Sequence, residues 1–226
     1  MLKRLPRTAP ASRIRRLVPI LNVSRFHRCQ ELFVQIIAYP HSTLRHVSKP
    51  IRRVDGELKQ LAREMFDLMY EAKGIGLAAN QVHLPLRLFV MNLESDPQKP
   101  ELEQVFINPV ISQPKGSAEA EEGCLSLPGL YGPVVRPKQV RITAYGLDGR
   151  EIDMVVGDLL GRCVQHELDH LDGVLFIDRM SGGAKADIAD ELYDFETVFN
   201  SQRSTGGIPA DDVLAEQRKK WEQRYC

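Results

Sequence analysis

"DLLGRCVQHELDHLDG", residues 158–173, decides how the rest of the chain is read. Leu159, Leu160, Cys163, Val164, Leu168 and Leu171 recur at helical spacing, with Asp158 as a cap and Gly173 as a stop. The helix is apolar on more than one side, as a buried central helix is. Side chains four apart share a helix face, so His166 and His170 can hold one metal ion together. Glu167 is rotated away by one residue, beside the ion and not a natural ligand, which suits a general base acting on water. The plainer alternative, two satisfied core histidines and a surface glutamate, leaves a carboxylate buried at high cost for no purpose.

Two histidines leave a catalytic ion short of a third protein ligand. The long metalloprotease pattern His-Glu-x-x-His-x-x-Gly-x-x-His holds as far as Gly173 and fails at Phe176. Glu191, in "ADELYD", meets the other protease arrangement, a glutamate on a later helix. A third option is the thiolate of Cys124 in "EEGCLSLPG" (121–129), between a glycine and a turn-prone Ser-Leu-Pro-Gly. Neighbouring acids make it a poor free nucleophile, but a bound cation deprotonates a thiol outright. Spacing alone leaves the choice open. "GIGLAANQ" (74–81) adds small residues that let backbone approach a ligand closely, and an amide donor in Gln81; it lacks the glycine spacing and lysine of a phosphate loop.

Outward from these stretches the pattern is α+β. "DGELKQLAREMFDLMYEAKG" (55–74) predicts a helix burying Leu58, Leu61, Ala62, Met65, Phe66, Leu68 and Met69, capped by Asp55 and stopped by Gly74. Residues 87–92, 104–111 and 139–156 read as strands, the last as two strands around a turn at 147–149. "SGGAK" and "SQRSTGGIPADD" read as loops, framing a short helix over 188–200, and a charged helix closes the chain. No βαβ alternation is evident.

The 226 residues fit one large domain with tails, and the formal net charge is zero, so no global field favours nucleic acid or an anionic membrane. The balance is uneven: residues 1–30 carry eight Lys/Arg and no acid. Residues 1–33 are expected to be a dispensable basic extension, either a transit peptide or upstream sequence outside the working protein. Residues 34–182 are the expected catalytic metallohydrolase domain and 183–226 a helical extension. Cys29, Cys124, Cys163 and Cys226 form no CxxC pair, which indicates a reducing compartment, and no apolar run reaches ~18 residues.

"GIGLAANQ", "EGCLS" and "QHELDH", in that order, resemble the three motifs of the peptide deformylase family, over about residues 34–180. The resemblance implies sheets, mixed or antiparallel, enclosing the central metal-binding helix. It implies Cys124, His166 and His170 as ligands of one divalent ion, ordinarily Fe(II), with Zn, Ni or Co as alternatives. It makes Glu167 the catalytic carboxylate, with Gln81 and the Leu125 amide stabilising the oxyanion. Gly76 and nearby backbone would hold the peptide, and Ile75, Leu125, Leu159, Cys163 and the His166 ring would line a slot for methionine. Arg162 is expected to run its stem along that slot and hold its charge at the rim, and Glu122 to pair with Arg136. The implied substrate is the N-formyl-methionyl end of a nascent polypeptide, with a transient ribosome contact near Arg218, Lys219, Lys220 and Arg224. No membrane and no specific DNA partner is expected. The location implied is the bacterial cytoplasm, or a mitochondrion or plastid if residues 1–33 direct import. The rivals are a zinc endopeptidase using Glu191 and a non-enzymatic metal scaffold; neither gives "GIGLAANQ" or "EGCLS" a role.

Overall fold

The computed structural model describes residues 35–226. The first 34, including the whole of the basic extension, lie outside the described residues. Helix α1 spans Gly56–Glu71, and the Asp55 carboxylate accepts the Leu58 N–H at 2.9 Å, a cap that typically contributes about 1 kcal/mol. Its expected stripe is buried apart from Leu68, which is only partly so. The stop differs from expectation. Lys73, not Gly74, takes the left-handed backbone; Gly74 instead lies under Leu125, whose Cδ1 a Cβ there would meet at 2.6 Å and push aside.

Strands β1 (Gly76–Ala78), β2 (Leu88–Met91), β3 (Gln104–Lys115), β6 (Gln139–Tyr145) and β7 (Glu151–Gly157) form one antiparallel sheet in the order β1-β2-β3-β6-β7. Strands β4 (Ala118–Cys124) and β5 (Leu127–Arg136) make a separate two-stranded sheet. Sequence reading saw β3 only as far as 111 and did not see the hairpin. β4 is Ala-Glu-Ala-Glu-Glu-Gly-Cys, poor in strand formers, and it is held by pairing with β5. From Leu130 to Arg136, β5 alternates strictly between buried and exposed positions, so it keeps one apolar face inward.

Helix α2 (Asp158–Leu171) packs against the large sheet: Cys163, Val164 and Leu171 join Phe89, Met91, Phe106, Val140, Ile142 and Val156 in one cluster. Gly157, not Asp158, holds the N-cap place; Asp158 is the first helical residue and has φ 48°. The hairpin buries Leu127, Leu130 and Val134 with Phe176 and Ile177 of α3 (Phe176–Arg179). "SGGAK" is not a loop: Gly182–Asp187 is helix α4, capped by the Ser181 hydroxyl. Helix α5 runs Ala189–Ser204, farther than expected.

Helix α6 (Asp211–Tyr225) returns to α1. Tyr225, 1% exposed, sits in the α1 cluster, and its hydroxyl contacts Asp55 Oδ1 at 3.0 Å and Glu57 Oε2 at 2.7 Å. The Arg52 N–H donates to the Tyr225 carbonyl at 2.8 Å. No described helix is long and apolar enough to cross a membrane.

Candidate active site

Two stripes on α2 carry the expected site residues. Arg162, His166 and His170 follow one another at four-residue spacing, and Leu159, Cys163 and Glu167 do the same on the adjacent stripe. Cys124 ends β4, just before the two-residue turn Leu125–Ser126. Its Sγ lies 3.2 Å from His170 Nε2, and one ligand atom from each of Cys124, His166 and His170 lies within 4.8 Å of the others. Among the described residues this is the one Cys/His/carboxylate group close enough to share an ion, and Glu191 is not part of it.

The electrostatics fit a bound cation. Burial disfavours charge on His166, but Cys124 and Glu122 outweigh it and raise its pKa to about 10. His170 shifts the other way: burial and the neighbouring His166 hold it well below its ordinary range, so this ring is neutral and its nitrogen is free to ligate. His166 Nδ1 lies 3.0 Å from Glu122 Oε2, which leaves Nε2 to face Cys124. A metal-ligating histidine is commonly oriented this way by a carboxylate. Burial also opposes charge on Glu122, yet His166 and Arg136 hold its carboxyl at about 2. The expected Glu122–Arg136 pair is present, bidentate at 2.6 and 2.9 Å. Arg136 also donates to Asp169 at 2.8 Å, and Arg179 donates to the same carboxylate at 2.6 Å.

Glu167 is 4% exposed, and its Oε2 has no hydrogen-bond partner among the described residues. Burial raises its pKa to about 7, against the opposing pull of His166 and Arg136. A carboxyl poised there exchanges a proton at neutral pH. Gly76 makes room for it: a Cβ at that position would lie 2.9 Å from Glu167 Cδ and closer still to Oε1. Gln81 is buried and fixed. Its Oε1 accepts the Ala78 N–H at 2.9 Å, and its Nε2 points to Ser126 Oγ (3.2 Å) and Cys124 Sγ (3.4 Å).

Cys163 lies beside Ile75 and Gly76, and burial pushes its thiol well above the ordinary range, so it stays a neutral thiol. Leu125 lies over Gly74. Leu159, on the same stripe as Cys163, is 53% exposed at the first turn of α2. Arg162 differs from expectation. Its guanidinium is not free at a rim; it donates to Glu122 Oε1 (2.6 Å), Val134 O (3.0 Å) and Ala118 O (2.8 Å).

The Polypeptide deformylase family model matches residues 33–186. The chain belongs to the polypeptide deformylase family. A peptide deformylase of Rhodopirellula baltica is 50% identical over 192 residues, covering 85% of this chain and 95% of that protein. The Plasmodium falciparum peptide deformylase crystal structure superposes with a TM-score of 0.72 at 39% identity, covering 74% of this chain and 98% of that one. A plant peptide deformylase crystal structure gives 0.73 at 38% identity, covering 81% and 98%. Deformylases remove the N-formyl group from newly made polypeptides, and the α+β fold with its antiparallel sheets is theirs. The endopeptidase reading fails on its own ligand, since Glu191 is absent from the donor group.

Residues that sequence reading passed over also contact the expected site residues. Asn80 Nδ2 donates to the His170 carbonyl, and Ser126 meets Gln81. Both sit inside quoted motifs, next to the residues singled out. Asp169 and Arg179 gave no signal beyond their charge.

Proposed function

We propose that Cys124, His166 and His170 hold one divalent ion and that Glu167 is the proton-transfer residue for deformylation of an N-formyl-methionyl peptide. The observation that carries this is a buried carboxyl with a pKa of about 7 and an unpartnered oxygen, beside three converging soft and nitrogen donors. When bound, the ion supplies Lewis acidity that makes water nucleophilic near neutral pH. Glu167 takes the proton of the attacking water as the new C–O bond forms at the formyl carbon. Charge then builds on the formyl oxygen, where Gln81 Nε2 and the Leu125 N–H donate; one such donor is typically worth ~3 kcal/mol. Glu167 returns the proton to the departing amine, and formate and a free N-terminus remain.

The methionine side chain enters beside Ile75, Leu125, Leu159 and Cys163. Arg162 contributes its stem only. β1 is the outermost strand of its sheet, so Gly76 and its neighbours can pair with the peptide backbone. Fe(II) is the proposed ion, with Zn, Ni or Co able to use the same donors. A weak, salt-dependent ribosome contact would fall to Lys219 and Lys220, because Arg218 is bonded to Thr43 and Arg224 to Glu57. Residues 34–182 carry the catalysis, with 1–33 dispensable to it. The working location is the bacterial cytoplasm, or an organelle if residues 1–33 direct import.

The test is formate release from a formyl-Met peptide by anaerobically purified protein, with metal analysis. Glu167→Gln should keep its metal and lose nearly all turnover. Substantial turnover with metal bound would overturn the role given to Glu167.

A further inference from the structure

The three proposed metal donors come from two elements that share no sheet. Cys124 ends the β4–β5 hairpin, whereas His166 and His170 stand on α2, which packs on the five-stranded sheet. Arg136–Asp169 (2.8 Å) and Gln165–Pro137 (3.1 Å) tie the far end of the hairpin to the helix. Arg162 adds a further tie at this same open end, where Ala118 pairs with Arg136. One guanidinium reaches both strands, through Ala118 O on β4 and Val134 O on β5, and also the Glu122 carboxylate. Glu122 lies two residues before Cys124, and Arg162 lies one helical turn before His166. Glu122 in turn meets His166 Nδ1 at 3.0 Å. The planar, five-donor guanidinium meets these three acceptors at once and has donors to spare.

We infer that Arg162 is a positioning residue for the metal site: it locks the hairpin bearing Cys124 onto the helix bearing His166 and His170, and so sets how firmly the three donors hold a divalent ion. This rests on the reading of Cys124, His166 and His170 as ligands. It gives Arg162 a role apart from substrate, which its side chain would have had at the rim of the slot. Losing a residue that orients a ligand typically costs about 10–100-fold in metal affinity.

The experiment loads full-length wild-type, Arg162→Leu and Arg162→Lys proteins with Co(II). It follows the cobalt–thiolate absorption, the rate of Co(II) loss to a chelator, and formate release with kcat and KM separated. In Arg162→Leu, Co(II) should leave about 10-fold faster or more, with a changed thiolate band. Arg162→Lys should fall between, since an ammonium keeps the charge but not the fork. If Arg162→Leu does not fold, Arg162→Lys carries the comparison: faster Co(II) loss with a shifted band supports the inference. A spectrum and loss rate within twofold of wild type overturn it, as does a raised KM with both unchanged. A wild-type spectrum without any thiolate band would instead overturn the ligand reading, and the inference with it.

Discussion

Gly76→Ala tests the site through a single carbon. Gly76 has no left-handed φ, so alanine fits its backbone. The obstacle is space: the new Cβ would stand 3.0 Å from Cys163 Sγ, 2.9 Å from Glu167 Cδ and nearer still to Oε1. The backbone of Gly76 is held by its pairing with Met91, and α2 by the sheet beneath it. The carboxylate is the group free to give way, by roughly 1 Å, and a displacement of that size can cost about 100-fold in rate. That corresponds to ~2.7 kcal/mol of barrier. Because a flexible side-chain end moves instead of backbone, the melting temperature should fall by only a few degrees and the metal content should stay. The assay is kcat for formate release from a formyl-Met peptide, with metal analysis on the same sample. A kcat within about threefold of wild type, or an intact kcat with only KM raised, would refute the reasoning that Gly76 exists to seat Glu167.

Cys124→Ala should lose metal affinity and activity together while Cys163→Ala and Glu191→Ala keep the metal; metal analysis after gel filtration decides, and retention by Cys124→Ala would break the assignment. His41 is buried, and burial, with His83 and Arg218, lowers its pKa to about 4 from 6.5. The unfolded chain therefore takes up the proton first, and the stability from the neutral ring is full above pH ~6.5 and lost as pH falls towards 4. This loss amounts to at most ~2 kcal/mol between pH 7.5 and 5, and His41→Asn, measured by urea unfolding alongside wild type, should flatten that part of the slope. An unchanged slope would contradict the burial argument. Tyr225→Phe removes a hydroxyl shared by Asp55 and Glu57 and should cost about 1–2 kcal/mol in urea unfolding with kcat unchanged; no loss of stability would show that α6 does not secure the start of α1.

What the sequence made legible is what depends on local spacing. The faces of α1 and α2, the Asp55 cap and the adjacency of His166, His170 and Glu167 follow from helical periodicity within a few residues. Where meaning lay in distant contacts, the sequence was silent. Gly74 looked like a helix stop because its real reason, the Leu125 side chain, is 51 positions away in the chain. Arg162 looked like a rim charge because its acceptors, Glu122, Ala118 and Val134, belong to a hairpin the glutamate-rich β4 concealed. Asn80 sits inside a quoted motif, yet its acceptor, the His170 carbonyl, is 90 positions on. Propensity reads the strand or helix a residue prefers; it does not read what lies across from it.

The seat of Tyr225 has a consequence for the order in which the protein is made. Tyr225, on the last described helix, fills the cluster under α1 and reaches Asp55, 170 positions earlier. Until α6 has been made and has docked, the α1 cluster stays open at one end. Strand pairing and hairpin formation can proceed during elongation, but closure of this core waits for a segment made long after α1. The first helix of the described fold thus depends for its cover on the last, and a chain shortened by α6 would expose apolar side chains that every earlier element leaves unshielded.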